Sequence, residues 1–269
     1  MANNESNLPT ITNITAGLLV IMVIVVPTSI ILTKKTAKIT TTTPRVSITD
    51  EILITKQDSE FKKILIYLNN GNRKFTEHMN YSIGTDPLFL TTEDLNADGY
   101  SDIIIGYRSA EGVNVQLNDG NGMFPGEAVF YRTVCASHFV TIADLNGDHT
   151  LDIIALCPSV HKIVILFNNC HNNGTFSKQM TYETDQIPVW VAINDVNNDD
   201  KFDIVVANFD PANIGIFLNT GNDTFVNQTL YPTDYNPYAI AINDVNDDHQ
   251  LDIIVAHSHS VGILYTDCH

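Results

Sequence analysis

A nine-residue acidic string recurs four times along this chain of 269 residues. The copies read DLNADGYSD (Asp94 to Asp102), DLNGDHTLD (Asp144 to Asp152), DVNNDDKFD (Asp195 to Asp203) and DVNDDHQLD (Asp244 to Asp252). Their first residues are spaced 50, 51 and 49 positions apart. One D-x-N-x-D-x-x-x-D string is a chance match. Four in phase define a structural repeat, and each copy must occupy the same place in its own unit.

Positions 1, 3, 5 and 9 of each string carry short oxygen-bearing side chains: Asp94, Asn96, Asp98 and Asp102; Asp144, Asn146, Asp148 and Asp152; Asp195, Asn197, Asp199 and Asp203; Asp244, Asn246, Asp248 and Asp252. Such groups at alternate positions of a tight turn aim several hard oxygens at one point, which suits Ca²⁺. Position 7 would add a backbone carbonyl, from Tyr100, Thr150, Lys201 or Gln250. An EF-hand needs a twelfth-position Glu and flanking helices. Here the sequel is IIIGY, IIALC, IVVAN or IIVAH, which reads as a buried strand. The expectation is a strand–loop–strand site for up to four Ca²⁺. Position 6 favours glycine because the turn is sharp. Only Gly99 meets that, against His149, Asp200 and His249, so loop one is expected to be the most regular. The bland alternative is a set of solvated Asx turns that bind nothing.

Lys and Arg number 14 against 31 Asp and Glu, a formal charge of −17. That balance argues against nucleic acid as a partner. Twelve of the acids fill positions 1, 5 and 9 of the four loops, where four divalent cations would offset eight charges. Of the four cysteines, Cys135 and Cys157 lie nearly symmetrically about the second loop, so a disulfide between them is expected. Cys170 and Cys268 occupy equivalent positions two repeats apart and are left unassigned. No C-x-x-C pair points to zinc or a redox centre.

Around each loop the same signals return. An apolar strand leads in (PLFLTTE, HFVTIA, PVWVAIN, PYAIAIN), and the buried strand follows the loop. A third strand comes next (GVNVQLN, KIVILFN, IGIFLN, VGILYT), then a polar turn ending at Phe75, Phe124, Phe176 or Phe225, then a fourth strand. Four short strands per unit with no helical periodicity predict an all-β fold of β-propeller blades. The blades are expected at about 49–86, 87–135, 136–185, 186–234 and 235–269. In the first, Thr43, Arg45 and Ser47 stand at ligand positions, so no ion site is expected there. The first and last units each read as three strands, giving four to five blades in a closed ring, an open fan or a fragment of a longer repeat array.

This pattern resembles the FG-GAP/VCBS repeats, the calcium-loop blades of integrin α-subunit propellers and of many surface proteins. The resemblance covers Thr49 to His269. It implies Ca²⁺ ligands at the loop positions named above and a role in adhesion or ligand binding. The family's loops often have Gly before the first Asp; this chain has Glu93, Ala143, Asn194 and Asn243.

Ahead of the repeats, residues 1–10 form a polar tail, and residues 11–33 are apolar enough to span a bilayer once, with Pro27 inside the run. A cleaved signal peptide is the rival reading, but no Lys or Arg precedes the run. Residues 34–48 (KKTAKITTTTPRVSI) read as a Thr-rich stalk. The basic residues after the span favour leaving that side cytoplasmic, whereas large domains translocate regardless. N-x-S/T sequons at Asn80, Asn173, Asn222 and Asn227, with the expected disulfide, place the repeats outside the cell.

No nucleophile motif, H-E-x-x-H string or phosphate loop is present, and no enzyme is expected. His257 and His259 alternate on one strand face, which permits a two-ligand metal site, though a plain turn is the simpler reading. Trp190, the only tryptophan, is expected in the core. The sequence therefore points to a membrane-anchored extracellular calcium-binding module with a protein or glycan ligand. The alternatives are a carbohydrate-active or lectin-like propeller, or a fragment of a larger repeat protein.

Overall fold

The structure, a computed structural model, describes the backbone of residues 30–31, 51–58, 61–69, 75–82, 86–119, 123–125, 128–169 and 174–266, and the side chains of these from residue 86 onward. The first sheet orders β1 (Ile30–Ile31), β2 (Glu51–Asp58), β3 (Phe61–Asn69) and β4 (Phe75–Ser82). The second orders β5 (Pro87–Glu93), β6 (Asp102–Tyr107), β7 (Gly112–Gln116) and β8 (Val129–Arg132). In the third, β9 (Phe139–Ala143), β10 (Asp152–Cys157), β11 (Lys162–Asn168) and β12 (Phe176–Glu183) follow the same order. The fourth holds β13 (Pro188–Asn194), β14 (Asp203–Asn208) and β15 (Asn213–Phe217). A small hairpin of β16 (Asn219–Gly221) and β17 (Thr224–Phe225) then leads to its outer strand, β18 (Thr229–Pro232). The fifth has three strands, β19 (Pro237–Asn243), β20 (Asp252–His257) and β21 (Val261–Leu264). Every pairing is antiparallel. This is an all-β, blade-by-blade propeller arrangement with four full blades and a three-stranded fifth.

Two expectations are revised at the ends. The first unit does have an innermost strand: Ile30 pairs with Ile54, and Ile31 with Leu53. Those two residues belong to the stretch expected to cross a membrane, and β-branched side chains suit a pleated surface. The rest of residues 11–33, and the stalk at 34–48, lie outside the described residues. Among the described residues no helix is long and apolar enough to cross a membrane.

In blades two to four the second strand is buried throughout. In β6, β10 and β14 all six residues are buried, because both faces of the strand are covered by neighbouring blades. Period-two alternation sends successive side chains to opposite neighbours. From β10, Ile153, Ala155 and Cys157 join Ile104, Val113 and Val140 in the layer between blades two and three. Ile154 and Leu156 join Val191, Ile204 and Phe217 in the layer between blades three and four. A third layer between blades four and five holds Val205, Ala207, Ile214, Ile240, Ile253 and Val255. Trp190 packs at its ring against Phe139, centroids 4.8 Å apart, as a core residue.

The innermost strands β5, β13 and β19 open on Pro87, Pro188 and Pro237, each followed by a register shift. A sheet-edge first position is where proline's missing N–H costs no ladder bond. Cys135 and Cys157 are disulfide-bonded across 5.6 Å between Cα atoms. The bond ties the segment leading into blade three to the end of that blade's buried strand.

Candidate functional site

All four acidic loops fold alike, each between the first and second strands of its blade. The position-1 carboxylate organises the turn: Asp94 accepts the backbone N–H of Asp98 on Oδ1 (3.0 Å) and that of Gly99 on Oδ2 (2.8 Å). Asp144, Asp195 and Asp244 do the same for Asp148 and His149, Asp199 and Asp200, and Asp248 and His249. Asn96, Asn146, Asn197 and Asn246 accept the position-5 N–H on Oδ1. Asp98, Asp148, Asp199 and Asp248 accept the N–H of Tyr100, Thr150, Lys201 and Gln250.

Such winding requires left-handed backbone twice per loop. Position 6 has positive φ in all four: Gly99 at 91°, His149 at 65°, Asp200 at 63° and His249 at 69°. Position 4 does too: Ala97 at 57°, Gly147 at 73°, Asn198 at 57° and Asp247 at 61°. Loop one is therefore not singled out. Its glycine at position 6 is offset by alanine at position 4, where a Cβ is disfavoured. Loops three and four place only Asn, Asp and His at these positions, and Asn and Asp visit this region most readily after glycine. The series Ala, Gly, Asn, Asp at position 4 was the available sign of the second turn.

The ninth-position aspartates behave differently. Asp102, Asp152, Asp203 and Asp252 are fully buried, with no exposed surface. In each, Oδ2 accepts the N–H of position 2, from Leu95, Leu145, Val196 or Val245. Oδ1 of the first three accepts the N–H of Asn118, Asn168 or Asn219, at 2.8 to 2.9 Å, at the end of the third strand. Burial raises the Asp102 carboxyl from 3.8 to about 6 and that of Asp152 to about 7, with the loop's other two carboxylates adding repulsion. Asp203 is raised for the same reasons.

Two of these asparagines also bridge blades, a feature the loop motif alone did not reveal. Asn168 Nδ2 donates to Leu95 O of the preceding blade's loop (2.9 Å), and Asn219 Nδ2 to Leu145 O (2.7 Å). Loop one thus hangs from blade three, and loop two from blade four. The recurring Asn at the end of the third-strand strings was the sign in the sequence.

Whether a hard cation fits can be judged from the donors. At positions 1, 3, 5 and 9 each loop offers three carboxylates and an amide oxygen, whose oxygens accept one or two hydrogen bonds each. Apart from His149, whose Nδ1 lies 3.9 Å from Asp144 Oδ2, and His249, the one basic group in these loops is Lys201. Its Nζ stands 2.9 Å from Asp199 Oδ2 and holds that carboxyl below its usual range. In loops one, two and four the same oxygen instead accepts the position-3 amide, from Asn96, Asn146 or Asn246. Among the described residues, no three Asp, Glu, His or Cys side chains close on one centre. The donor chemistry suits Ca²⁺, and the carboxylates at positions 1 and 5, half-buried or exposed where those at position 9 are buried, are the ones that an ion would draw together.

Other sequence candidates fall elsewhere. His257 ends β20 with Nδ1 3.4 Å from Asn236 O, and His259 lies exposed in the following turn. Asn222 and Asn227 are exposed beside the β16–β17 hairpin, while the side chains of Asn80 and Asn173 lie outside those described.

Comparison with known proteins agrees with this architecture. No curated protein matches the sequence. Among solved structures, BBS1N in complex with ARL6DN superposes with a TM-score of 0.56 at 12% identity, over 81% of this chain and 61% of that one. An Agrocybe aegerita lectin specific for non-reducing terminal N-acetylglucosamine gives 0.56 at 19% identity, over 82% of this chain and 61% of that one. The chain thus spans about 61% of the length of these two proteins, and at such identities the likeness is one of fold. A family model for the FG-GAP-like repeat matches three overlapping stretches, residues 94–155, 144–206 and 195–255, each running from one acidic loop past the next. The chain belongs to the FG-GAP-like repeat family.

Proposed function

We propose that this protein is a calcium-stabilised ligand-binding propeller without catalytic activity, displayed outside the cell. The carrying observation is the uniform winding of the four loops. In each, the first aspartate gathers at least two backbone N–H groups, and this winding sets the backbone that carries positions 3 and 5. Asp94, Asn96, Asp98 and Asp102, and their counterparts in loops two to four, would hold the ion. The ion would neutralise carboxylates that the fold forces together and would stiffen the rim. Loop three is expected to be the weakest site, because Lys201 already meets Asp199. The buried disulfide supports an oxidising compartment, and the apolar run of residues 11–33, whose Ile30 and Ile31 pair with β2, is the candidate membrane attachment.

The test is thermal unfolding of the full chain with calcium or with a chelator. An ion that binds the folded state alone adds about 2.7 kcal/mol per site at a hundredfold excess over Kd. For a domain of this size that is roughly 5–10 °C per site. An unchanged melting temperature at millimolar calcium rejects the reading.

A further inference from the structure

Blade four carries two N-x-T sequons close together, and the repeat explains only one of them. Asn222 opens the string Asn222-Asp223-Thr224 in the β16–β17 hairpin, three residues before Phe225. Earlier units keep an asparagine at that distance from their own phenylalanine: Asn72 before Phe75, Asn121 before Phe124 and Asn173 before Phe176. The third residue of the string varies, as Lys74, Met123, Thr175 and Thr224. What recurs is therefore the asparagine, and the backbone gives the reason. Asn222 has φ 53° and Asp223 φ 61°, the left-handed pair that a two-residue hairpin turn requires. Neighbours clamp this turn. The Asp223 carboxylate meets Lys178 Nζ of blade three, and the Thr224 hydroxyl donates to Gly221 O at 2.9 Å and lies 2.6 Å from that of Thr220.

Asn227 is of another kind. The earlier units place Glu77, Gly126 and Lys178 two residues after the phenylalanine, so the repeat demands no asparagine there. Residues 226–228 belong to no strand and link β17 to β18. Asn227 and Thr229 are both exposed, and neither side chain makes a hydrogen bond among the described residues. Val226 beside them is 50% exposed, so the surface around the amide is open.

We infer that Asn227 is an N-glycan acceptor and that Asn222 is a turn residue left bare. The inference rests on the reading of this chain as displayed outside the cell. The donor class is a polyprenyl-diphosphate oligosaccharide. In the transfer, Asn227 Nδ2 bonds to the anomeric carbon and the bond from that carbon to the diphosphate oxygen breaks. The polyprenyl diphosphate leaves with the electron pair, and the amide gives one proton to a base of the transferase. Recognition asks for a hydroxyl two residues on, which Thr229 offers unengaged and Thr224 does not. A bulky, hydrated product also needs an exposed loop, which residues 226–228 supply and the clamped hairpin withholds.

For the test, the full chain is expressed with its own N-terminal segment in cultured animal cells. An N-glycan amidase acting in heavy-oxygen water turns each occupied asparagine into labelled aspartate, and fragment mass spectra read Asn222 and Asn227 separately. The thiol state of Cys135 and Cys157 is measured in the same sample. Asn227 should be occupied in most copies and Asn222 in few. Asn227→Gln and Thr229→Ala should each remove one glycan step on a gel, Thr229→Ser should keep it, and Asn222→Gln should remove none. A bare Asn227 in protein whose Cys135–Cys157 bond has formed overturns the inference and leaves the extracellular reading standing. Equal occupancy at Asn222 and Asn227 overturns it as well. A bare Asn227 together with free thiols overturns the inference and the compartment reading alike.

Discussion

The junction between blades three and four and the junction between blades four and five are built from the same repeat, yet they are held differently. At the first, Asn219 donates across to Leu145 O, and Tyr182 closes over Phe225. At the second, Thr266 stands where the asparagine would be. Its N–H reaches Asp252 Oδ1 at 3.4 Å, against 2.8 Å for Asn219 on Asp203, and its hydroxyl turns to Leu251 O within its own blade. Tyr231 has no phenylalanine over it. Exposure follows: Phe217 in blade four is fully buried, whereas Val261, Ile263 and Tyr265 in blade five are 67%, 43% and 52% exposed. A repeat protein's stability is a sum of unit and neighbour terms. Here the neighbour term weakens toward the fifth blade while the inner-strand packing persists.

The largest expected contrast is at the buried ninth-position aspartates. Asp152→Ala strands the N–H groups of Leu145 and Asn168 in a dry layer and should cost about 3–5 kcal/mol, as two such groups lose their partner together. Asp252→Ala should cost about 1–2 kcal/mol, since one of its two bonds is already long. Denaturant unfolding of the two variants measures the difference, and equal losses would break the comparison. A pH series sharpens it. Because the folded Asp152 carboxyl titrates near 7 against an ordinary 3.8, the folded state holds this proton more tightly. Its contribution to stability is present below about pH 4 and lost as pH rises toward 7, so the chelated protein should weaken across that window. The Asp152→Ala variant should show a shallower slope.

A smaller effect is expected from the interblade amide. Asn219→Ala removes the bonds to Leu145 O and Phe202 O and should destabilise by about 1–3 kcal/mol. The reverse change at the weaker junction, Thr266→Asn, should add about 0.5–1.5 kcal/mol by restoring a donor that can reach Val196. Hydrogen exchange in β19 and β20 reports that gain directly, as slower opening of the fifth blade. Loss of stability in Thr266→Asn would show that the junction differs by backbone path and not by one side chain.

The repeat period, the strand count per blade and the acidic loops were all legible in the sequence, because each rests on local pattern: alternation, turn residues and Asp spacing. The pairing of Cys135 with Cys157 was legible for the same reason, since a loop that folds back brings its flanks together. What escaped are contacts whose partners lie 43 residues or more apart. Asn168 to Leu95 and Tyr182 to Phe225 are invisible until the blades are stacked, although Asn118, Asn168 and Asn219 recur as regularly as the aspartates. The role of Asp152 and its equivalents was read as closing an ion cage. In the fold these carboxylates are first a bracket for backbone N–H groups, which burial demands of any charged oxygen. Ile30 and Ile31 were read by hydropathy alone, which does not distinguish a lipid-facing run from an inner strand.

The finest division lies in a single hydroxyl. Tyr182→Phe leaves the ring over Phe225 and deletes the one acceptor for that residue's N–H, so a loss of about 1 kcal/mol is expected. Tyr231→Phe changes a half-open ring with no phenylalanine above it, and a change within about 0.5 kcal/mol is expected, as for surface positions generally. A loss for Tyr231→Phe equal to that for Tyr182→Phe would place the Tyr231 hydroxyl in the fold of blade four itself, and the two junctions would then not differ in this contact.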